Sequence, residues 1–572
     1  MRGLKRHGQA AAVVLAALAA AGLGLWGYHL HFGGNRSFGD IAYFVLYLFV
    51  VESGEAQGPV PWQLAAARWL AAGVAFWAVM RTALVLFGER LTAARPGRWE
   101  DHVVVCGLGR KGRQLALEFR EAGMRVAVIE RDANNPHVAA CRERGVVVFI
   151  GDSSDEELLA RAGANNARHV FAVTGDDGQN VAIAMKLHRL CRDRRARRSA
   201  PTTCVVHMTD LHLCEVFKQH SVFLDETDRL DVRVFNIYEH AARMLLAEHP
   251  LEGDAPDGAP LAPHLVLLGF GMMGQGIALQ AAKTAHYATG PPLRVTVVDH
   301  AATLRGGAFL GAYPQFSRTC RLELVAAEIT SAETIERIVA WAREPGFRVT
   351  LAVCLDGEGE SLAAGMRIAA GFRGDTVPVY VRMAEATGLA ALFEDGGTLS
   401  GWMECLRPYA MICRTCSTAA VLEEELDVLA RAVQEGFIAA QKGGRAADDP
   451  SLAPWERLDP VFRDSCRQQA DHIPVKLRAV GCLAVPMEDP RLAVVDFPPE
   501  EVELMARMEH ARWNAERWLG GWTLGPKDAV RRTNPHILPW EELTPGVQDW
   551  DRNAVRGIPG LLERVGKKVV RR

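Results

Sequence analysis

Apolar residues are unevenly spread along the chain. Ala10–Tyr28 is a run without charge, rich in Ala, Val and Leu. As a helix it would be about 28 Å long, close to the hydrocarbon thickness of a bilayer. Arg2, Lys5 and Arg6 precede it, and positive flanks stay cytoplasmic, so the N-terminus is expected inside. A cleaved signal peptide is the competing reading, but the sequence that follows argues against it. Trp62–Phe87 is a second apolar region, with Arg68 and Arg81 toward its ends, where they can snorkel to the interfaces. Arg90, Arg95 and Arg98 follow, so two spans return the chain inside. Between them Ile41–Val51 (IAYFVLYLFVV) is too short to cross easily. It reads as a re-entrant helix, the alternative being an external amphipathic cap. Helix, short re-entrant helix, helix is a pore-like layout, and it occupies residues 8–90.

From Val103 the pattern becomes one of short apolar strands alternating with helices. Val103–Cys106 leads into Gly107-x-Gly109-x-x-Gly112, then a helix with Leu115, Ala116 and Phe119 on one face, then Arg125–Ile129, closing at Glu130. In such a turn the first glycine bends the chain, the second admits a pyrophosphate and the third lets helix and strand pack. The helix N-terminus offers unpaired N–H groups to phosphate. Glu130, 23 residues after Gly107, stands where a carboxylate accepts from a ribose hydroxyl; adjacent Arg131 weakens any inference against a 2′-phosphate. The pattern repeats. His264–Leu268 leads into Gly269-x-Gly271-x-x-Gly274, a helix, and Leu293–Val298 closing at Asp299, with Tyr287–Pro292 as a loop absorbing extra length. The Gly/Pro-rich stretch Pro250–Pro263 precedes it as a linker. Both halves continue alike: Val146–Ile150, Gly151-Asp152 and His169–Thr174 in the first, Leu322–Ala326, Glu328 and Arg348–Leu355 in the second. This alternation predicts an α/β chain with two tandem doubly wound parallel sheets, residues 101–249 and 264–440. Gly151 and Thr174 would lie at carboxyl ends of strands, where such sheets bind ligands.

Two apolar spans around a short apolar segment, followed by VVVCGLGRKG, GDSSDEELLARAGA and AVTGDDGQN, resemble the TrkA-N or RCK family of channel and transporter subunits, over about residues 8–440. The resemblance implies cytosolic nucleotide-binding domains that regulate K+ conductance, with Gly107, Gly109, Gly112, Glu130 and Asp152 lining a site for NAD(H) or another adenine nucleotide in a non-catalytic role. Arg110, Arg131 and Thr174 join these as cofactor-binding candidates. Gly269, Gly271, Gly274 and Asp299 are the candidates in the second unit, where Ala327-Glu328 replaces the Gly-Asp pair and the glycines can equally serve packing. K+ filters are built from backbone carbonyls of a T-V-G-Y-G type loop. Here the short apolar segment runs into Val50-Val51-Glu52-Ser53-Gly54-Glu55, without Gly-Tyr/Phe-Gly, so potassium selectivity is not carried over. Glu52, Ser53, Gly54 and Glu55 are the pore candidates. Rings of Glu52 or Glu55 would favour cations generally; the alternative is ordinary solvated acids. Pores form on symmetry axes, so a homo-oligomer is expected, a tetramer foremost, in the inner (plasma) membrane with lipid, monovalent cations and nucleotide as partners and both termini cytoplasmic.

Past the loop-rich Gly443–Pro454 the character changes. Trp513, Trp518, Trp522, Trp540 and Trp550 cluster, and Glu501–Leu519 is helical by period, with Leu504, Met508, Ala511, Ala515 and Leu519 on one stripe. MEHARWNAERWLGGWTLGPKD, NPHILPWEEL and DRNAVRGIPGLL resemble the Ryr repeat domain first named in ryanodine receptors, at about residues 500–563 within a helical region 455–572. That implies a small, mainly helical recognition module. Its aromatics are core or ligand wall; Arg512, Trp513 and Trp522 are candidates for stacking a small aromatic or nucleotide ligand.

Composition adds limits. The 572 residues suggest about four domains. A net charge of −3 gives no argument for nucleic acid as a partner. Twelve Cys without dense spacing are expected as reduced thiols; the lone Cys413-Arg414-Thr415-Cys416 lacks the second pair a zinc site needs. G-x-S-x-G, H-E-x-x-H and Walker A motifs are missing, so no catalytic or metal site is expected. A nucleotide-regulated cation channel or channel-like protein, not an enzyme, is the resulting expectation. The alternatives are a membrane-anchored NAD-dependent oxidoreductase and a non-conducting membrane sensor.

Overall fold

The computed structural model describes residues 2–33, 35–50, 59–93, 96–193, 200–218, 229–252, 261–287, 291–372, 377–384, 405–409, 412–422, 427–441 and 449–572. Glu52, Ser53, Gly54 and Glu55 lie outside them. The chain divides into two compact units, Met1–Pro96 and Gly97–Arg572.

In the unit Met1–Pro96, α1 (Arg2–His31), α2 (Phe38–Leu48) and α3 (Trp62–Ala93) form a hairpin with a short helix between its arms. Ala20 and Tyr28 of α1 and Leu64, Ala67 and Ala71 of α3 bury against Ile41, Val45 and Leu48 of α2. The opposite faces carry exposed Leu15, Leu18, Trp69, Phe76 and Val79, so both long helices are apolar on nearly every side, as a lipid-facing helix is. Val13–His31 and Trp62–Thr82 are long and apolar enough to cross a membrane. The middle helix begins three residues before Ile41 because Ser37 caps it, its hydroxyl oxygen accepting from the Asp40 N–H at 3.2 Å.

The unit Gly97–Arg572 holds two six-stranded parallel sheets, one in each of a first and a second Rossmann unit. The strands of the first are β1 (Val103–Cys106), β2 (Val126–Glu130), β3 (Val147–Ile150), β4 (His169–Ala172), β5 (Thr202–His207) and β6 (Leu230–Phe235), and α4 (Arg110–Glu121) follows β1. The second comprises β7 (Ala262–Leu268), β8 (Arg294–Asp299), β9 (Arg321–Ala326), β10 (Phe347–Val353), β11 (Val379–Arg382) and β12 (Leu406–Tyr409). Their orders are β3-β2-β1-β4-β5-β6 and β12-β11-β10-β7-β8-β9. Numbered within each half, both read 3-2-1-4-5-6, the doubly wound dinucleotide-binding order. The central strands β1 and β7 are buried along their whole length, as expected where helices cover both faces.

Packing redraws the expected boundaries at 249, 264 and 440. The helix Ile237–Glu248 follows β6, yet its Ala241, Ala242 and Leu245 lie in the core of the second sheet with Leu265, Phe270 and Ile277. Conversely Cys416, Val421 and Leu422, from helices after β12, complete the first core beside Leu115 and Phe119, and the Thr418 N–H donates to Glu118 of α4 at 2.7 Å. The helix Val428–Ala440 gives Ala430 and Val433 to the C-terminal core. Periodicity marks each segment's apolar face but not the neighbour that covers it. In the C-terminal region Pro499–Leu519 is the central helix. It buries Val502, Met505, Ala506 and Glu509 besides Met508 and Ala515, so the single expected stripe is too narrow.

Candidate functional site

The glycine turn between β1 and α4 is shaped by contacts at both ends. Gly107 has φ +97°, a left-handed conformation costly for any residue with a Cβ. A Cβ on Gly112 would stand 1.9 Å from the Gly107 carbonyl oxygen, so helix and turn touch backbone to backbone. Gly109 is the N-cap of α4 and offers no side-chain cap. The first intrahelical bond runs from the Arg113 N–H to the Gly109 carbonyl, so the N–H groups of Arg110, Lys111 and Gly112 have no partner within the helix and aim their positive end outward. A Cβ on Gly109 would meet nothing within 4 Å. That open space belongs to a cavity of about 300 Å³.

The cavity is lined on the first unit by the glycine turn, Arg110, Lys111, Glu130, Arg131, Ser153, Thr174, Gly175 and Gln179. Tyr238, Met273, Arg382 and Ala384 close it from the helices and strand ends of the second. Arg110, Lys111, Arg131 and Arg382 are four cations on its wall against one carboxylate, Glu130, which suits an anionic ligand. The Lys111 Nζ lies 3.1 Å from His207 Nε2. Burial, with Lys111 beside it, holds that imidazole well below its usual range, so His207 is neutral and its ring nitrogen accepts.

Of the expected ligands, Gly107, Gly109, Arg110, Glu130, Arg131 and Thr174 come together on this wall, with Gly112 packing just behind the turn. Asp152 does not line the cavity. Its Oδ1 accepts from the Ser154 N–H and hydroxyl, which hold its carboxyl below the usual range, and from Gln179 Nε2 at 3.1 Å. Gln179 and Ser153 stand on the cavity side instead. Glu130 does more than await a ribose: its Oε2 accepts from the Leu108 N–H at 2.6 Å and its Oε1 from the Asp132 N–H. It latches the glycine turn and keeps a lone pair on each oxygen for a ligand.

The second Rossmann unit repeats the latch and adds an arginine to it. Gly269 has φ +99°, a Cβ on Gly274 would stand 2.3 Å from the Gly269 carbonyl oxygen, and one on Gly271 would meet nothing within 4 Å. Asp299 Oδ2 accepts from the Phe270 N–H at 2.8 Å and also from Arg305 Nη1 at 2.7 Å; Oδ1 accepts from the Ala301 N–H, with His300 Nδ1 at 3.4 Å. Burial pushes Asp299 up, but these N–H groups and Arg305 outweigh it and hold the carboxyl below its usual range. Arg305 thus takes the acceptor position on Oδ2 that Glu130 leaves open on its own latching oxygen.

The C-terminal candidates separate only in part. Arg512 is 2% exposed and lies between Glu509 and Glu516 at 2.9 and 2.7 Å, in a buried ion network with Lys476. Trp513 packs on His510, with ring centroids 5.8 Å apart. Trp522 instead lines a cleft of about 520 Å³ against Lys283, Tyr313 and Asp464. Arg512 faces into the helix packing, apart from the two aromatics, while Trp513 and Trp522 stay together: the Arg517 guanidinium lies over both rings, at 5.3 and 5.2 Å. Cys416 is buried, which pushes its thiol up to about 12, and no cluster of metal-binding side chains occurs among the described residues.

Sequence reading missed Lys111, Ser153, Gln179, Tyr238 and Arg382. Lys111 sits inside the glycine motif and was open to notice; Arg382 has no local signal.

Residues 103–220 match the model of the TrkA-N domain. A 104-residue stretch is 26% identical to "Potassium channel protein 1" of Methanocaldococcus jannaschii, covering 18% of this chain and 31% of that one. An uncharacterized protein of Methanothermus fervidus is 24% identical over 119 residues, 20% of this chain and 19% of its own. The matches therefore span under a third of either relative. Among solved structures, GsuK bound to ADP aligns at 13% identity and TM-score 0.40 over 73% of this chain and 97% of its own. The GsuK channel bound to NAD aligns at 12% and 0.40 over 76% and 86%.

Proposed function

We propose that this chain is a nucleotide sensor coupled to a membrane helical hairpin, of the kind that regulates cation flux. The observation that carries the reading is the cavity on the first glycine turn: open at Gly109, headed by unpaired helix N–H groups, and walled by four cations and one carboxylate. This is the chemistry of a phosphate-bearing ligand with a ribose hydroxyl to donate to Glu130. An adenine nucleotide such as ADP or NAD is the class proposed, bound and not consumed. The TrkA-N match and the likeness to a potassium channel protein support placing the sensor in a channel-associated role. The two long apolar helices support a membrane location. α3 ends at Ala93 and β1 begins at Val103, so a ligand-dependent change in the Rossmann units has a short covalent path to the hairpin. Couplings of this sort amount to about 1–3 kcal/mol. A homotetramer would bring four hairpins together about one axis, and the Ryr-like region would add a second input.

The test is current. The purified full chain in planar bilayers is expected to pass monovalent cations with an open fraction that changes when ADP or NAD is added. Nucleotide binding without any current would leave a non-conducting sensor, and turnover of a nicotinamide substrate would favour an oxidoreductase.

A further inference from the structure

The cavity on the first glycine turn is not built by the first Rossmann unit alone. Arg382 is the last residue of β11, at the carboxyl edge of the second sheet, and its side chain, 13% exposed, reaches the same cavity as Gly109. Its guanidinium lies over the Tyr238 ring at 5.6 Å. Among the described residues, both of its hydrogen bonds leave from Nη1, to the Leu355 carbonyl at 3.0 Å and to Asp356 Oδ1 at 2.8 Å. The ring and the two acceptors orient the guanidinium, while Nη2 and Nε remain as donors along the rest of the fork. Asp356 is 89% exposed, and a pair whose carboxylate sits in water is weak, so a phosphate can displace it. From the other side Arg110, the first residue of α4, approaches Glu358 of the second unit at 3.9 Å. The Glu358 carboxylate also accepts from the Ala384 N–H just beyond β11. The carboxyl edges of the two sheets thus meet across one cavity, with a helix N-terminus on one wall and an oriented guanidinium on the other.

We propose that Arg382 is the guanidinium that takes a phosphate of the nucleotide seated on the first glycine turn, so that the site is complete only when the second Rossmann unit is packed against the first. This rests on the nucleotide reading above and adds to it the residue that makes occupancy depend on how the two units pack. A fork of N–H donors matches phosphate oxygens, and the helix N–H groups approach the same anion from the opposite side.

The experiment titrates the purified full chain with ADP and with adenosine, in wild type, Arg382→Gln and Arg382→Lys. Charge-assisted hydrogen bonds of this type predict that Arg382→Gln weakens ADP about 10- to 100-fold and adenosine less than about threefold. Arg382→Lys, which keeps the charge but loses the fork, should fall between wild type and Gln for ADP, and it serves alone if the Gln variant does not fold. Equal losses for ADP and adenosine, or unchanged ADP affinity in both variants, overturn the inference while leaving the nucleotide reading intact. A wild-type chain that binds neither ligand overturns both.

Discussion

Two glycines three residues apart should respond in opposite ways to substitution. At Gly112 an added Cβ would stand 1.9 Å from the Gly107 carbonyl oxygen. Ordinary contact needs about 3.4 Å, so α4 and the turn would have to separate by about 1.5 Å, in a core where Val105, Leu115 and Phe119 are buried. Overpacking of that size costs about 1–3 kcal/mol or more, and the shift also strains the Leu108–Glu130 latch. Gly112→Ala is therefore expected to lower the thermal midpoint of the unit Gly97–Arg572 by about 2–12 °C, at about 2–4 °C per kcal/mol. At Gly109 a side chain meets open space and φ is −70°. Gly109→Trp should leave the midpoint of the ligand-free chain within about 2 °C of wild type, while its indole fills the cavity and abolishes the stabilisation that ADP gives. Differential scanning fluorimetry with and without ADP reads both effects. The reasoning is refuted if Gly112→Ala melts like wild type, or if Gly109→Trp keeps the full ADP-induced rise.

Two further predictions concern the rest of the unit Gly97–Arg572. Burial lowers His102, His240 and His264 to about 4 and His286 to about 3. At pH 5.5 each is neutral when folded and protonated when unfolded, so the unfolded chain binds more protons and stability falls as pH drops below about 6.5. The loss is about 1.4 kcal/mol per histidine at that pH, read as a falling unfolding midpoint that His264→Gln makes less steep; a midpoint flat from pH 6.5 to 5 would contradict it. In the C-terminal region Glu509 accepts from Lys476 at 2.5 Å and from Arg512 at 2.9 Å, all three buried. Glu509→Gln takes from buried Lys476 its carboxylate and leaves Arg512 with Glu516 alone, and should cost about 3–5 kcal/mol in denaturant unfolding, whereas a near-native midpoint would show that the network is dispensable.

Legibility followed how local the physical constraint is. Gly107, Gly109 and Gly112 answer to a turn, a cavity and a close approach within six residues of chain, and both copies of the motif stood out for that reason. The doubly wound order was implied by strand–helix alternation, because right-handed crossovers leave few arrangements. The arginine on the second latch was also written locally: Arg305 follows Asp299 by six residues, whereas the same offset from Glu130 falls on Pro136, which has no cation to offer. The exchanged segments were hidden, since Ile412–Leu422 has the same apolar pattern whichever sheet it covers. Arg382 was hidden more deeply. Nothing near it marks a ligand, and only the meeting of two sheet edges brings it to the glycine turn of the other unit.

The central claim is a single nucleotide site on the first Rossmann unit, and calorimetric titration of the purified full chain with ADP and NAD tests it most directly. One mole of nucleotide bound per chain, lost in Gly109→Trp and retained in Gly271→Trp, is the predicted result. No heat of binding, or binding that survives Gly109→Trp and disappears with Gly271→Trp, would contradict it.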